Sequence, residues 1–146
     1  MENRSVLIMM ASYNGEKYIY QQIESILQQT YKNILLIIQD DNSTDGTLEI
    51  IKTFQESDKR VVLWNNIGKH GPYENFHTLI NKCKKLEKFD YYMFSDHDDI
   101  WNHDKVEFFV KIIEEKRMGN KPVMVYADMC LIDANNNITN KSVNDI

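Results

Sequence analysis

Short apolar runs alternate along this chain with segments whose apolar residues recur at every third or fourth position. The runs predict buried strands, because they lack the polar alternation of a strand with one face in water. They occupy residues 6–10, 34–38, 61–64, 91–94 and 123–127, and a further strand is predicted at 129–132, before a turn at 135–137. The periodic segments predict four amphipathic helices, which lie between successive strands.

Strand and helix therefore alternate through four cycles, with the first helix predicted over residues 16–29 and the fourth ending near Gly119. This alternation is typical of an α/β protein with a mostly parallel sheet and helices on both faces. A chain of 146 residues is long enough to bury a core of its own. We therefore expect one domain over residues 1–146.

Composition narrows the classes of partner. A chain with 42% hydrophobic and 27% charged residues is typical of a globular protein. The longest aliphatic run, at residues 34–38, is too short to cross a membrane, and the N-terminus has no signal core. A cytoplasmic protein is therefore expected. The net charge of −5 counts against a nucleic-acid partner, and Cys83 and Cys130 are expected to be free thiols.

An abrupt change from apolar to acidic residues follows the fourth predicted strand, at Ser95-Asp-His-Asp-Asp-Ile-Trp101. Asp96 and Asp98 are two positions apart, so both carboxylates project to one side of an extended chain. Paired carboxylates suit Mg²⁺ or Mn²⁺, which leave other positions to water and substrate phosphates. The pattern predicts a metal-assisted nucleotide site, and a solvated acidic turn is the alternative.

Two other strand ends are polar, at residues 11–14 and 40–45. The carboxyl ends of parallel strands share one edge of a sheet, so these segments and residues 96–99 are expected to lie together. Adjacent carboxylates at Asp40 and Asp41 repel each other unless donors compensate. A carboxylate there could accept the imide N–H of uracil or thymine. Tyr13 either stacks on a base or packs as a strand-end tyrosine.

The sequence offers little support for a calcium loop, a glycine-rich phosphate-binding loop or a histidine metal site. Asp41 to Asp45 imitates the start of a calcium loop, but its twelfth position is Lys52, which cannot be the bidentate ligand. Asp45 is expected to cap the second helix. The glycines form neither a dinucleotide-binding motif nor a P-loop. His70, His77 and His103 share no metal-ligand spacing and are expected to be surface or loop residues.

Taken together, four segments resemble the family 2 glycosyltransferases, in order and spacing, across nearly the whole chain. They are Ala11-Ser-Tyr-Asn-Gly15, Ser25-Ile-Leu-Gln-Gln-Thr30, Ile38-Gln-Asp-Asp-Asn-Ser-Thr-Asp45 and the acidic segment Ser95–Trp101. The resemblance is to the bacterial subgroup that builds O-antigen and capsular polysaccharides. It implies a GT-A fold and the N-terminal nucleotide-binding portion of such an enzyme.

The resemblance also implies roles for particular positions. The base and ribose of a UDP- or dTDP-sugar would contact Ala11, Tyr13, Asp40, Asp41 and Asp96, and Asp98 would bind Mn²⁺ or Mg²⁺. Ala11 departs from the threonine often found there, which removes a hydroxyl contact to the base. His97 occupies the variable middle position of the Asp-x-Asp motif.

The implied reaction is direct, inverting transfer of the sugar to a saccharide or lipid-linked acceptor. The general base of the family is expected beyond Ile146, so no catalytic residue is assigned within residues 1–146, and a truncated, inactive donor-binding domain is expected. A lipid-linked acceptor would bring the full enzyme to the inner face of the membrane. A metal-dependent phosphohydrolase and a non-catalytic nucleotide-sugar-binding module are the alternatives.

Overall fold

Four parallel strands form the central sheet of the protein. A computed structural model describes residues 4–117, 119 and 121–142. The strands are β1 (Val6–Ser12), β2 (Ile34–Asp40), β3 (Val61–Asn65) and β4 (Tyr91–Ser95), in the spatial order β3-β2-β1-β4. The helices are α1 (Ile19–Leu27), α2 (Thr47–Ser57), α3 (Pro72–Cys83) and α4 (Lys105–Lys116). The predicted class, a parallel sheet with helices, is confirmed.

The strand order places a switch point beside β1. The chain adds β2 and then β3 on one side of β1, and returns to add β4 on the other side. Successive crossovers in opposite directions leave a crevice outside the carboxyl ends of the strands, where α/β proteins usually bind ligands. The polar residues that follow β1 and β4 therefore lie at the position where a ligand site is expected.

The core lies on both faces of β1, and all seven of its residues are buried. Leu7 and Met9 pack in one cluster with Leu79 and Cys83 of α3. Alternate residues point to the opposite face. Ser95, the register partner of Met10, is within hydrogen-bond distance of Gln22 on α1, so α1 covers that second face. Helices on both faces explain why β1 and β2 carry apolar residues without polar alternation.

The strand predicted at residues 123–127 is wrong. In the described part of this segment the backbone forms no strand, and Met124 and Tyr126 are each 86% exposed. A strand needs a neighbour to satisfy its backbone groups, and an apolar run does not supply one. The strand predicted at 129–132 is partly confirmed, since β5 (Leu131–Ile132) pairs antiparallel with β6 (Ile138–Asn140).

Two compact units make up the chain, Met1–Val110 and Lys111–Ile146. The first contains the four-stranded sheet and the second the β5–β6 hairpin. One domain over residues 1–146 stays a prediction. No helix among the described residues has both the length and the apolar character needed to cross a lipid bilayer.

Candidate functional site

A cleft of about 760 Å³ opens at the carboxyl ends of the strands. Loops that follow β1, β2, β3 and β4 all contribute to its lining. Five of the six residues predicted to contact a nucleotide or a metal line it, namely Ala11, Tyr13, Asp41, Asp96 and Asp98. The topology brings these residues together although they are far apart in sequence, because each lies at or just after the carboxyl end of a strand of the same parallel sheet.

Asp41 is the most heavily hydrogen-bonded carboxylate of the cleft and is only 6% exposed. Its Oδ1 accepts hydrogen bonds from Asn66 Nδ2 and His70 Nδ1, both at 2.7 Å, and its Oδ2 accepts one from Gly71 N at 2.7 Å. Burial alone would raise the pKa of Asp41, but the bonds from Gly71, His70 and Asn66 outweigh burial and lower it. Asp41 is therefore an ionised, rigidly held acceptor at the base of the cleft.

The loop after β3 supplies functional residues that the sequence analysis did not select. Asn66 is 2% exposed and also donates to Lys69 O at 2.8 Å, so it fixes the loop as well as Asp41. Gly71 has a φ of 108°, which favours glycine, and this conformation directs its N–H at Asp41. His70 was expected to be an ordinary loop residue, yet it lines the cleft and bonds Asp41. Its position after a parallel strand was the signal that could have selected it.

Asp40 has a different environment from Asp41, and it does not line the cleft. It is 1% exposed, and it accepts hydrogen bonds from Ser12 Oγ at 3.0 Å, Ser43 Oγ at 2.6 Å and Ser43 N at 2.8 Å. These bonds join the end of β1 to the loop after β2. The geometry gives Asp40 a structural role, and its predicted contact with a nucleotide stays a prediction.

The loops after β1 and β2 are also joined directly. Asn14 N donates to Ser43 Oγ at 2.9 Å, and Thr44 N donates to Asn14 Oδ1 at 2.8 Å. Asp45 was expected to cap α2, but Gly46 occupies the N-cap position; Asp45 precedes it and accepts from Thr47 N and from Glu16 N. Two of the three predicted polar strand ends therefore form one hydrogen-bonded unit.

The acidic turn, residues 96–99, contributes Asp96, His97 and Asp98 to the lining of the same cleft. The side chains of Asp96 and Asp98 are exposed, whereas His97 and Asp99 are half-buried. Burial raises the pKa of Asp99, and the neighbouring charges of Asp98 and Asp96 raise it further. A Cβ atom on Gly15 would lie 2.3 Å from His97 Cδ2, so any larger residue there would force the His97 ring to move.

This donor set fits a divalent cation that is shared with a substrate. Asp96 and Asp98 offer exposed carboxylate oxygens, the hard ligands that Mg²⁺ and Mn²⁺ prefer. Among residues 4–117, 119 and 121–142, no group of three or more His, Cys, Asp or Glu side chains could hold a metal ion. Mg²⁺ is commonly bound by one or two carboxylates together with substrate phosphates, so a cation here would depend on a phosphorylated ligand.

The fold and the site together define an α/β domain with an acidic cleft at its topological switch point. Residues 7–132 match the family model described as glycosyl transferase family 2. The chain belongs to this family.

Relatives in sequence support the same assignment. The chain is 44% identical over 100 residues to the dTDP-rhamnosyl transferase RfbG of Shigella flexneri, an alignment that covers 67% of this chain and 34% of the relative. It is 33% identical over 143 residues to the UDP-Glc:alpha-D-GlcNAc-diphosphoundecaprenol beta-1,3-glucosyltransferase WfgD of Escherichia coli, covering 98% of this chain and 52% of that protein. The chain thus spans between a third and about half of the length of these relatives.

Solved structures show the same fold. S. aureus TarS 1-349 in complex with UDP-GlcNAc superposes with a TM-score of 0.66 at 22% identity, covering 76% of this chain and 31% of that one. The mannosyltransferase PcManGT of Pyrobaculum calidifontis, in complex with GDP-Man and Mn²⁺, gives a TM-score of 0.64 at 20% identity. The superposition covers 75% of this chain and 32% of that one. At these identities the likeness concerns the fold alone.

Proposed function

We propose that this chain binds the sugar-nucleotide donor of a glycosyltransferase and that the cleft holds the nucleoside diphosphate together with a divalent cation. The observation that carries the proposal is the composition of one cleft. The cleft is lined by an ionised acceptor, Asp41, and by two exposed carboxylates, Asp96 and Asp98. A donor of this class has a base to hydrogen-bond and a diphosphate that needs a cation.

The hydrogen bonds already made by Asp41 favour a uracil or thymine base. An ionised carboxylate has about four acceptor positions. Asn66, His70 and Gly71 occupy three of them, which leaves one on Oδ2. The single imide N–H of uracil or thymine needs one acceptor, whereas guanine presents two neighbouring donors that pair best with both carboxylate oxygens. Uridine and thymidine diphosphates are therefore the expected donors.

The remaining predicted contacts follow from the position of the base. Tyr13 is 54% exposed at the cleft and is free to stack on the ring, and Ala11 lies at the floor beside it. Asp96 is proposed to contact the ribose and Asp98 the metal. When bound, Mn²⁺ or Mg²⁺ would offset the negative charge that develops on the departing nucleoside diphosphate.

The sugar and the acceptor are proposed by analogy with the relatives. The relatives' names indicate deoxyhexose and hexose donors, and one of them gives a diphosphoundecaprenol-linked acceptor. We propose the same chemical classes for the full enzyme, which would then act at the cytoplasmic face of a membrane, in polysaccharide synthesis. The general base and the acceptor site are proposed to lie outside residues 1–146.

A thermal-shift panel tests the proposal. The melting temperature is measured with UDP, dTDP, GDP, ADP and CDP, each with Mn²⁺ and with EDTA. UDP or dTDP is expected to raise the melting temperature in Mn²⁺, because a ligand at 100 times its Kd stabilises the folded chain by about 2.7 kcal/mol. GDP is expected to raise the melting temperature less. Equal shifts with all five nucleotides, or no shift at several millimolar, would refute the proposal. Release of inorganic phosphate or free sugar without an acceptor would favour the phosphohydrolase.

His70→Ala is expected to weaken UDP or dTDP binding about tenfold with only a small loss of stability. The ring is 55% exposed, so little packing is lost, but one of the bonds that orient Asp41 disappears. The measurement is the Kd of UDP in Mn²⁺, with His77→Ala as the control, because His77 is an exposed histidine of α3 outside the cleft. Equal affinities of both variants and the unsubstituted chain would contradict this role of His70.

A further inference from the structure

A strip of polar residues runs along the buried side of α1 and the residues just after it. Gln22, Ser25 and Gln29 are spaced by three and four positions, which places them on one face of a helical segment. Gln22 and Gln29 are completely buried, and Ser25 is half-buried. Buried polar side chains are costly unless they are hydrogen-bonded, so their partners show what the strip does.

Gln22 contacts both ends of the acidic turn. Its amide oxygen accepts from Trp101 Nε1 at 3.1 Å and lies 2.7 Å from Ser95 Oγ, and its amide nitrogen donates to the backbone carbonyl of Asp99. This orientation of the amide satisfies the donors and acceptors around it. One buried side chain therefore joins the residue before the turn, the last residue of the turn and the tryptophan that follows.

The other two residues of the strip hold the chain after the turn. Ser25 Oγ accepts from Trp101 N at 3.1 Å. Gln29 donates to Asn102 O at 2.7 Å and accepts from Val106 N at 2.9 Å, which fixes the start of α4. Within the strip, Gln22 alone bonds to a residue of the acidic turn itself.

The acidic turn needs such support because its own side chains do not provide it. Asp96, Asp98 and Asp99 lie within four consecutive residues, and like charges this close repel one another. Among the described residues, no hydrogen bond to any of these three carboxylates is found. The backbone of the turn is instead held by its neighbours: the buried amide of Gln22 donates to the carbonyl of Asp99, and Ser95 Oγ donates to the carbonyl of Asp96 at 2.8 Å.

We propose that Gln22 is a positioning residue that fixes the Asp96 and Asp98 carboxylates for binding of the metal–diphosphate group. This inference rests on the proposed function and adds a residue of α1, which does not line the cleft, to the determinants of metal affinity. Partners that orient metal ligands from outside typically change metal affinity by about 10- to 100-fold when they are replaced. Gln22 is expected to act in the same way, through the backbone of the turn.

Gln22→Met keeps the approximate volume of the side chain and removes all of its hydrogen bonds. The Kd of UDP and of dTDP is measured in Mn²⁺ and in EDTA for the unsubstituted chain, Gln22→Met and Gln29→Met. Gln29→Met is the matched control, because it removes an equally buried amide whose bonds are to Ser25 O, Asn102 O and Val106 N, outside the acidic turn. We expect Gln22→Met to raise the Kd in Mn²⁺ about tenfold or more. In EDTA, the Kd of Gln22→Met should stay within about twofold of that of the unsubstituted chain. Gln29→Met should lower the melting temperature without changing the effect of Mn²⁺ on the Kd.

Three results would overturn the inference. Gln22→Met with an unchanged Mn²⁺ effect shows that the amide does not position the turn, while the proposed function stands. An equal loss of the Mn²⁺ effect in Gln29→Met shows that Gln22 contributes only to general stability. A lack of any Mn²⁺ effect in the unsubstituted chain refutes the proposed function and this inference with it. If Gln22→Met does not fold, Trp101→Phe removes one donor to the same amide and is expected to weaken the Mn²⁺ effect in the same direction.

Discussion

Replacing Asp98 with asparagine is expected to remove the effect of Mn²⁺ on nucleotide binding and to leave the fold intact. The Asp98 carboxylate is exposed at the cleft, so the substitution breaks no buried contact. A neutral amide is a much weaker ligand for a hard divalent cation than a carboxylate. Because metal coordination is worth several kcal/mol and each 1.36 kcal/mol is tenfold, we expect UDP or dTDP affinity in Mn²⁺ to fall about 100-fold.

Thermal stabilisation by UDP or dTDP in Mn²⁺ measures this loss, and the melting temperature without ligand checks the fold. Asp104→Asn is the matched control, since Asp104 is an exposed aspartate near the acidic turn that does not line the cleft. The control should bind like the unsubstituted chain. Should Asp98→Asn keep its full Mn²⁺-dependent stabilisation, Asp98 would not be the metal ligand.

Replacing Asp41 with asparagine is expected to destabilise the protein as well as abolish nucleotide binding. Three donors point at the two Asp41 oxygens, so the amide NH₂ of asparagine would face at least one of them. Losing charge-assisted hydrogen bonds at a buried position typically costs 1.5 to 3 kcal/mol each, so we expect a loss of about 2 to 4 kcal/mol. Urea denaturation at neutral pH measures it, and an unchanged free energy of unfolding would contradict this account of Asp41.

The same variant separates the pH dependence of Asp41 from that of other acids. The lowered pKa of Asp41 means that its contribution to stability is present above its unfolded pKa of about 3.9. That contribution is lost as pH falls through the folded pKa. Asp45, Asp58, Asp90 and Asp133 also have lowered pKa values, so the unsubstituted chain alone does not isolate Asp41. The stability difference between it and Asp41→Asn should shrink on acidification below about pH 4.

The sheet could be predicted because its strands are covered on both faces. Residues of β1 and β2 face helices on each side and must be apolar, so runs such as Ile34–Ile38 identify them without any knowledge of the fold. The cleft follows from the same pattern. Once the strands are parallel, Tyr13, Asp41 and Asp98 must lie at one edge, since each follows the carboxyl end of its strand.

The support around the site could not be predicted, since it depends on contacts between distant segments. Nothing local indicates that Asn66 and His70 share one oxygen of Asp41, 25 and 29 positions earlier. Gln22 is separated from its acidic-turn partners by more than 70 positions, and the helical periodicity revealed only the apolar residues around it. The strand predicted at residues 123–127 was wrong for a related reason, because an apolar run does not show whether a partner strand lies beside it.

Isothermal titration of this chain with a UDP- or dTDP-sugar, in Mn²⁺ and in EDTA, tests the central claim most directly. One molecule of donor is expected to bind per chain in Mn²⁺, with a Kd between about 1 µM and 1 mM, the usual range of enzyme substrates. Removing the metal with EDTA is expected to weaken binding at least about tenfold, since the diphosphate then faces the uncompensated carboxylates of Asp96 and Asp98. Equal affinity in Mn²⁺ and EDTA, or no binding by a folded chain, would contradict the claim that this cleft holds a metal-bound sugar nucleotide.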